Sequence, residues 1–313
     1  MKYYKKGSKR VLFVSSGNTG DVGVLVKNQG DSLIKEGVDI DFYLIKGKGF
    51  WGYLRSIKGI RHKFLNGNYD LIHAHYSLSA FAASLAGKFP LVVSLLGSDA
   101  FKPPLIHFIT RLFQRYRWTA TIVKTREMYD LLCLENAQII PNGVNTERFK
   151  PIPKDLARKR VGLQKNQRIA VFVADPARHE KNYILAKQAV ELFNRSEEYL
   201  ELMPVYNVSN EDIPFYINAS DVLILTSKRE GGVNVIKEAM ACNIPFVSTD
   251  VGDVKDNSRG VRGCFICEQT PESLALGLKK ALEIGISEGR NRIFELGLDS
   301  DSVAKKIIAI YEQ

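Results

Sequence analysis

Short apolar runs rich in branched residues alternate with helical-period segments along almost the whole chain, and this alternation restricts the fold more than any other feature of the sequence. A strand buried on both faces reads as an unbroken apolar run, and parallel neighbours need a crossover helix between them. The runs RVLFVS (10–15), IDFYLI (40–45), DLIHAH (70–75), LVVSLL (91–96), TATIVK (119–124) and QII (138–140) meet that description, with helical segments in the gaps. PNGVNTERFKPIP (141–153) then interrupts the series with three prolines, a glycine and no apolar period, as a linker does. The alternation restarts with IAVFVA (169–174), LELMPV (200–205), VLILTS (222–227), PFVSTD (245–250) and CFIC (264–267). The expected class is α/β, with two Rossmann-like domains built on parallel sheets. Expected boundaries are a first domain at 1–140, a linker at 141–153, a second domain at 154–298, and a last helix at 299–313 that either crosses back to the first domain or ends the second.

The 313 residues allow two domains of ordinary size, and 45% hydrophobic with 25% charged residues is the composition of globular proteins. No apolar run approaches the ~18 residues of a membrane span, and VLFV after the basic opening MKYYKKGSKR is too short for a signal peptide. A cytoplasmic protein is expected, peripheral at the inner face of the cell membrane if its partners lie there. Cys133, Cys242, Cys264 and Cys267 are too few and scattered for a disulfide framework, and Cys264-x-x-Cys267 lacks a second pair. Of 44 Lys+Arg and 34 Asp+Glu, residues 1–150 hold 22 and 11, so the first half carries +11 and the rest −1. Such a half attracts anions. No nucleic-acid fold signature accompanies it, which favours an anionic membrane surface or a diphosphate-linked substrate.

The densest chemistry lies in SKREGGVNVIKEAMACNIPFVSTDVGD (227–253), which places Glu230 just past a strand's carboxyl end and Glu238 in the second turn of a helix starting near Val233. Gly231 and Gly232 admit close backbone approach, and a helix amino end favours phosphate. A carboxylate set back by two turns suits a vicinal diol. This stretch resembles the Glu-x7-Glu signature of retaining glycosyltransferases of family four, the large group with the GT-B fold of two facing Rossmann-like domains. The resemblance implies that Glu230 meets the transferred sugar and Glu238 the nucleotide ribose, with Gly231, Gly232, Val233, Asn234 and Val235 around the donor. Pro-Asn-Gly-Val (141–144) followed by Phe149 and Pro151 is a second match, to the family's interdomain segment.

The loop after the first strand of the second half, ADPARHEKN (174–182), carries Arg178 and Lys181, three residues apart and able to flank a diphosphate. The family has an Arg and a Lys here, usually more widely spaced. Ser15 to Gly23 is a glycine-rich turn opening a helix and able to cradle phosphate; it resembles a family loop that touches the donor diphosphate or the acceptor, which implies Gly20 near the donor and Gly17 and Asn18 near the acceptor. His75 ends a strand in a context resembling the family, and Ser98 and Asp99 follow the next strand as acceptor contacts, with Leu96 where many members have His. His73 and His75 share a strand face without a third ligand, and Asp39-Ile-Asp41 opens a strand at the wrong edge for a metal site. No metal and no cofactor are expected. The segment 50–65, with aromatics, aliphatics and Arg55, Lys58, Arg61 and Lys63, reads as an interfacial helix or as a core-packed helix with a solvated basic face.

The expected function is retaining transfer of a hexose-type sugar from a nucleoside diphosphate to a glycan acceptor, lipid-linked, in bacterial surface polysaccharide synthesis. Three rivals remain. Gly17-x-x-Gly20-x-x-Gly23 and Tyr183-x-x-x-Lys187 also fit a short-chain dehydrogenase, a nucleotide-sugar 2-epimerase shares the two-domain plan, and a noncatalytic nucleotide-sugar-binding subunit would explain Leu96 and Asp175-Pro176.

Overall fold

The computed structural model describes residues 9–18, 20–47, 49–195 and 199–313, without the side chain of Phe50. The chain forms two units, one of Met1–Gly143 with Ser300–Gln313 and one of Val144–Asp299. The basic opening before Lys9 and the Phe50 side chain of the amphipathic segment lie outside the described residues.

In the first unit β1 (Arg10–Ser16), α1 (Val24–Lys35), β2 (Asp39–Ile45), α2 (Gly49–Asn66), β3 (Leu71–His75), α3 (Ser77–Ala86), β4 (Leu91–Ser94), α4 (Pro104–Arg117), β5 (Ala120–Val123), α5 (Arg126–Leu132) and β6 (Gln138–Ile139) follow in order. The strands form one parallel sheet in the order β2-β1-β3-β4-β5-β6. Alternate residues serve opposite faces: Leu12, Val14, Ile72, Ala74 and Val93 pack in one apolar cluster, Val11, Phe13, Leu71, Val92 and Ile122 in another. The central strands β1, β3 and β4 are buried on both faces, so they carry little polar alternation. Gly30 lets α1 approach the sheet, since a Cβ there would stand 2.8 Å from the Phe42 ring.

The second unit runs α6 (Lys154–Val161), β7 (Ile169–Phe172), α7 (Tyr183–Phe193), β8 (Glu201–Pro204), α8 (Ile213–Ala219), β9 (Val222–Leu225), α9 (Asn234–Ala241), β10 (Phe246–Thr249), α10 (Val254–Ser258), β11 (Cys264–Cys267), α11 (Pro271–Ile284) and α12 (Gly289–Glu295). Its parallel sheet has the order β11-β10-β9-β7-β8. The final helix α13 (Ser300–Tyr311) belongs to the first unit, where Val303, Ala304, Ile307 and Ile310 share the cluster of Val11 and Phe13. Tyr311 Oη lies 2.6 Å from His73 Nδ1, and Lys35 pairs with Asp301 at 2.8 Å.

Two expectations are modified. The segment 144–153 is not a free linker: Val144 and Phe149 are core residues of the second unit, and Arg290 donates to the carbonyls of Thr146 and Phe149, at 2.9 Å each. The amphipathic segment becomes α2, and Tyr53, Ile57, Ile60 and Phe64 pack inward on the core while Arg55, Lys58 and Arg61 face water. Most of its apolar stripe thus packs on the core beneath a basic outer face, while Trp51 and Leu65 near its two ends are 70% and 56% exposed.

Candidate active site

In the second unit the chain leaves β7 toward β8 on one side and leaves β9 toward β10 on the other, so the loops after β7 and β9 diverge at the point where strand order reverses. Ligands of open α/β sheets bind in the crevice outside the carboxyl ends of the strands at such a switch point. Here the two loops are stitched together. The Thr226 hydroxyl donates to the carbonyls of Lys181 and Asn182 (3.1 and 2.9 Å), and the Lys228 N–H donates to Glu180 O (2.9 Å). Behind them the Thr249 hydroxyl holds Ser227 O at 2.8 Å. This frame delivers Lys181 Nζ to Glu230 Oε1, which also accepts from the Ser227 hydroxyl at 2.8 Å. An ammonium and a carboxylate thus meet, partly buried, at the mouth of the sheet.

Past Glu230 the backbone is fixed by the turn after β10. Gly252 has φ +55°, and a Cβ there would stand 2.5 Å from Gly231 O, so only glycine fits both the dihedral and the contact. Asp253 accepts from the Val233 N–H at 2.8 Å and faces the buried Lys237 Nζ at 3.3 Å. Burial alone would raise the Asp253 carboxyl, but Lys237, the Val233 amide and Asn257 together hold it below the usual carboxylate range. The Val233 amide is therefore committed to Asp253. Asn234 opens α9, and Val235 packs against the core. Glu238 lies one turn further and is partly covered, and burial pushes its carboxyl up to about 7 against the lowering pull of Arg148 and Lys237. Arg148 Nε and one terminal nitrogen are buried without a hydrogen-bond partner. Arg178 is not brought to the pair: it is exposed and engages Glu180 at 2.6 Å.

The first unit collects the remaining expected residues around its own switch point, between β1 and β3. The Gly17 N–H donates to Ile45 O (2.9 Å), a Cβ on Gly17 would stand 2.7 Å from Leu44 Cβ, and Asn18 Oδ1 accepts from the Gly47 N–H (3.1 Å). Gly20 turns the chain with φ +95°. His75 is buried with neither ring nitrogen hydrogen-bonded, stacked 4.4 Å from His73, and burial with Lys124 nearby pushes it down to about 3. Tyr76 follows at φ +79°, a conformation that costs a non-glycine residue and clusters at functional sites. Ser98 is exposed, whereas Asp99 is buried and already accepts from the amides of Leu96 (2.8 Å) and Ser77 (3.2 Å). Burial pushes Asp99 up to about 6.

Rival motifs dissolve into packing. Asp39 and Asp41 pair with Arg10 at the amino end of β2 (3.1 and 3.0 Å). Tyr183 packs edge-on against Phe172 while Lys187 pairs with Glu191 at 3.7 Å, so the Tyr-x-x-x-Lys spacing marks one face of an ordinary helix. Both His73 ring nitrogens are bonded, to Tyr311 and to Ser94 Oγ (2.8 Å).

Residues 19–148 match the family model "Glycosyltransferase Family 4" and residues 167–284 the model "Glycosyl transferases group 1". The chain belongs to family four of the glycosyltransferases and has the GT-B fold. TuaC of Bacillus subtilis, named for teichuronic acid biosynthesis, is 29% identical over 213 residues, covering 59% of this chain and 54% of TuaC. A UDP-Gal:alpha-D-GlcNAc-diphosphoundecaprenol alpha-1,3-galactosyltransferase of Escherichia coli is 26% identical over 230 residues, 58% of each chain. The chain thus spans less than two thirds of the length of these relatives. Sucrose-phosphate synthase from Thermosynechococcus elongatus superposes with a TM-score of 0.78 at 17% identity, covering 97% of this chain and 98% of that one. Anabaena HepE in complex with UDP and glucose does so at 0.71 and 16%, covering 96% and 98%. At such identities the likeness shows the fold.

Proposed function

We propose that the protein is a retaining glycosyltransferase that moves a hexose-type sugar from a nucleoside diphosphate to a hydroxyl of a lipid-linked glycan in surface polysaccharide assembly, without an essential metal. The observation that carries this reading is the Lys181–Glu230 pair, held at the switch point of the second sheet with Glu238 on the helix that follows. In this reading Glu238 accepts from the ribose hydroxyls, Glu230 meets the transferred sugar, and Lys181 neutralises the leaving diphosphate, with Arg178 swinging from Glu180 to join it. Attack on the face that the diphosphate leaves needs no protein nucleophile, and the leaving oxygen takes the acceptor's proton. The charge building on that oxygen is what a fixed cation stabilises most. The first half's excess of +11 and the diphosphoundecaprenol substrate in the name of the E. coli relative support a lipid-linked acceptor in this reading. No helix among the described residues is long and apolar enough to cross a membrane.

Screening nucleotide sugars for thermal stabilisation identifies the donor, since a ligand of the native state alone raises stability by mass action. Lys181→Ala should then slow transfer roughly 100-fold or more, within the range for losing one electrostatic stabiliser. Tight donor binding without turnover on any lipid-linked glycan would replace the enzyme with a binding subunit.

A further inference from the structure

Helix α4 is anchored by one side and leaves an apolar stripe in water on the other. Inward, Thr110 is buried, the Phe113 ring packs 5.0 Å from that of Phe81, and His107 Nε2 reaches Asp99 O at 3.1 Å. Outward, Leu105, Phe108, Leu112 and Tyr116 are 67%, 57%, 49% and 68% exposed. They recur at helical spacing and so form one stripe. Arg111 and Arg115 are exposed on the same outer side, the Arg115 guanidinium 5.8 Å from the centre of the Tyr116 ring, and α4 has no acidic residue. On α2, by contrast, Tyr53, Ile57, Ile60 and Phe64 pack on the core, and its exposed apolar residues, Trp51 and Leu65, stand fourteen positions apart rather than in one continuous stripe.

We propose that α4 is the surface by which the protein docks on an anionic lipid membrane, its stripe entering the headgroup boundary and Arg111 and Arg115 meeting lipid phosphates. An amphipathic helix lying in the interface has this combination of apolar face and flanking cations. The charges argue against a second copy of the chain, because stripe-to-stripe pairing would bring the arginines together with no carboxylate on the helix to balance them. Exposed Arg55 and Lys58 of α2, which packs on α3 as α4 does, add to the attraction for anionic lipid. The inference deepens the proposed function by giving a lipid-borne acceptor a docking surface.

The test is co-sedimentation with vesicles of phosphatidylcholine alone or mixed with phosphatidylglycerol, at low and high salt. Wild type should bind only the anionic vesicles and lose binding with salt, since the attraction is screened over a Debye length. Each cation at the surface is worth about fivefold in affinity, so Arg111→Glu with Arg115→Glu should weaken binding by about 25-fold or more. Phe108→Ser with Leu112→Ser changes solvent-facing positions, leaves the core intact, and should weaken binding at least tenfold. Wild type ignoring anionic vesicles at low salt, or either α4 double variant binding like wild type, overturns the proposal. So does a wild-type dimer in light scattering that Phe108→Ser with Leu112→Ser dissociates, which would assign the stripe to a second copy. Stabilisation by a nucleoside diphosphate, measured on the same samples, reports the second unit separately. Its loss in wild type would count against the proposed function and leave the docking result standing.

Discussion

At the scale of single residues, burial pushes the Glu238 carboxyl of the candidate site far above its ordinary range. Its ordinary value is 4.5, and burial raises it to about 7 in the fold. The folded state therefore binds the proton more tightly than the unfolded chain, and ionising Glu238 costs stability as the pH rises from about 4.5 through about 7. The loss is on the order of 2–3 kcal/mol. Glu238→Gln should remove this slope and be the more stable protein at pH 8, as thermal unfolding across pH would show. If the carboxylate is the acceptor for a ribose diol, nucleoside diphosphate affinity should rise over the same window in wild type. The variant should lack that rise and bind more weakly by about 1.5–3 kcal/mol. Parallel pH profiles for the two proteins in calorimetry would remove Glu238 from the site. The Glu-x7-Glu spacing made this residue legible. Arg148 and Asp253 were not legible, because nothing local to their sequence shows that one acts on Glu238 and the other fixes the Val233 amide.

Among the elements, every expected strand forms; the central strands are buried on both faces and so read as apolar runs, while β2, β6, β8 and β11 at and near the sheet edges are only partly covered. Their ends differ in an informative way. The runs 91–96, 169–174 and 222–227 stop pairing at Ser94, Phe172 and Leu225. The residues beyond them leave the ladder and build the loops, and Thr226 and Ser227 become the struts that hold Lys181 to Glu230. Helix α13 closes the first unit through the Tyr311–His73 bond and the buried Ile307. Tyr311→Phe leaves a buried ring nitrogen unpaired and should cost about 1–3 kcal/mol. Ile307→Ala should cost about 2–5 kcal/mol. Both losses should appear in thermal denaturation as a shift of about 2–4 °C per kcal/mol. A Tyr311→Phe protein that melts like wild type would show that the hydroxyl contributes nothing to holding α13.

For the whole molecule, the proposed reaction draws its charge stabilisation from side chains, so incubation with EDTA should leave the transfer rate nearly unchanged. Loss of activity that magnesium or manganese restores would replace Lys181 with a metal as the neutralising group. The sequence by itself determined two α/β units with parallel sheets, since strand and helix periodicity are local properties that restart after residue 153. It also marked the Glu230 to Glu238 stretch as the candidate site, because those residues are contiguous in the chain. Only the tertiary structure decided that residues 144–153 belong to the second unit, anchored in its core by Val144 and Phe149, and that residues 300–313 complete the first, because these are contacts between segments far apart in sequence. It alone showed that the amphipathic segment 50–65 packs much of its apolar side on the core while α4 turns an apolar stripe to water. Which side of such a helix meets water depends on the surface it packs against, and that surface is contributed by other parts of the chain.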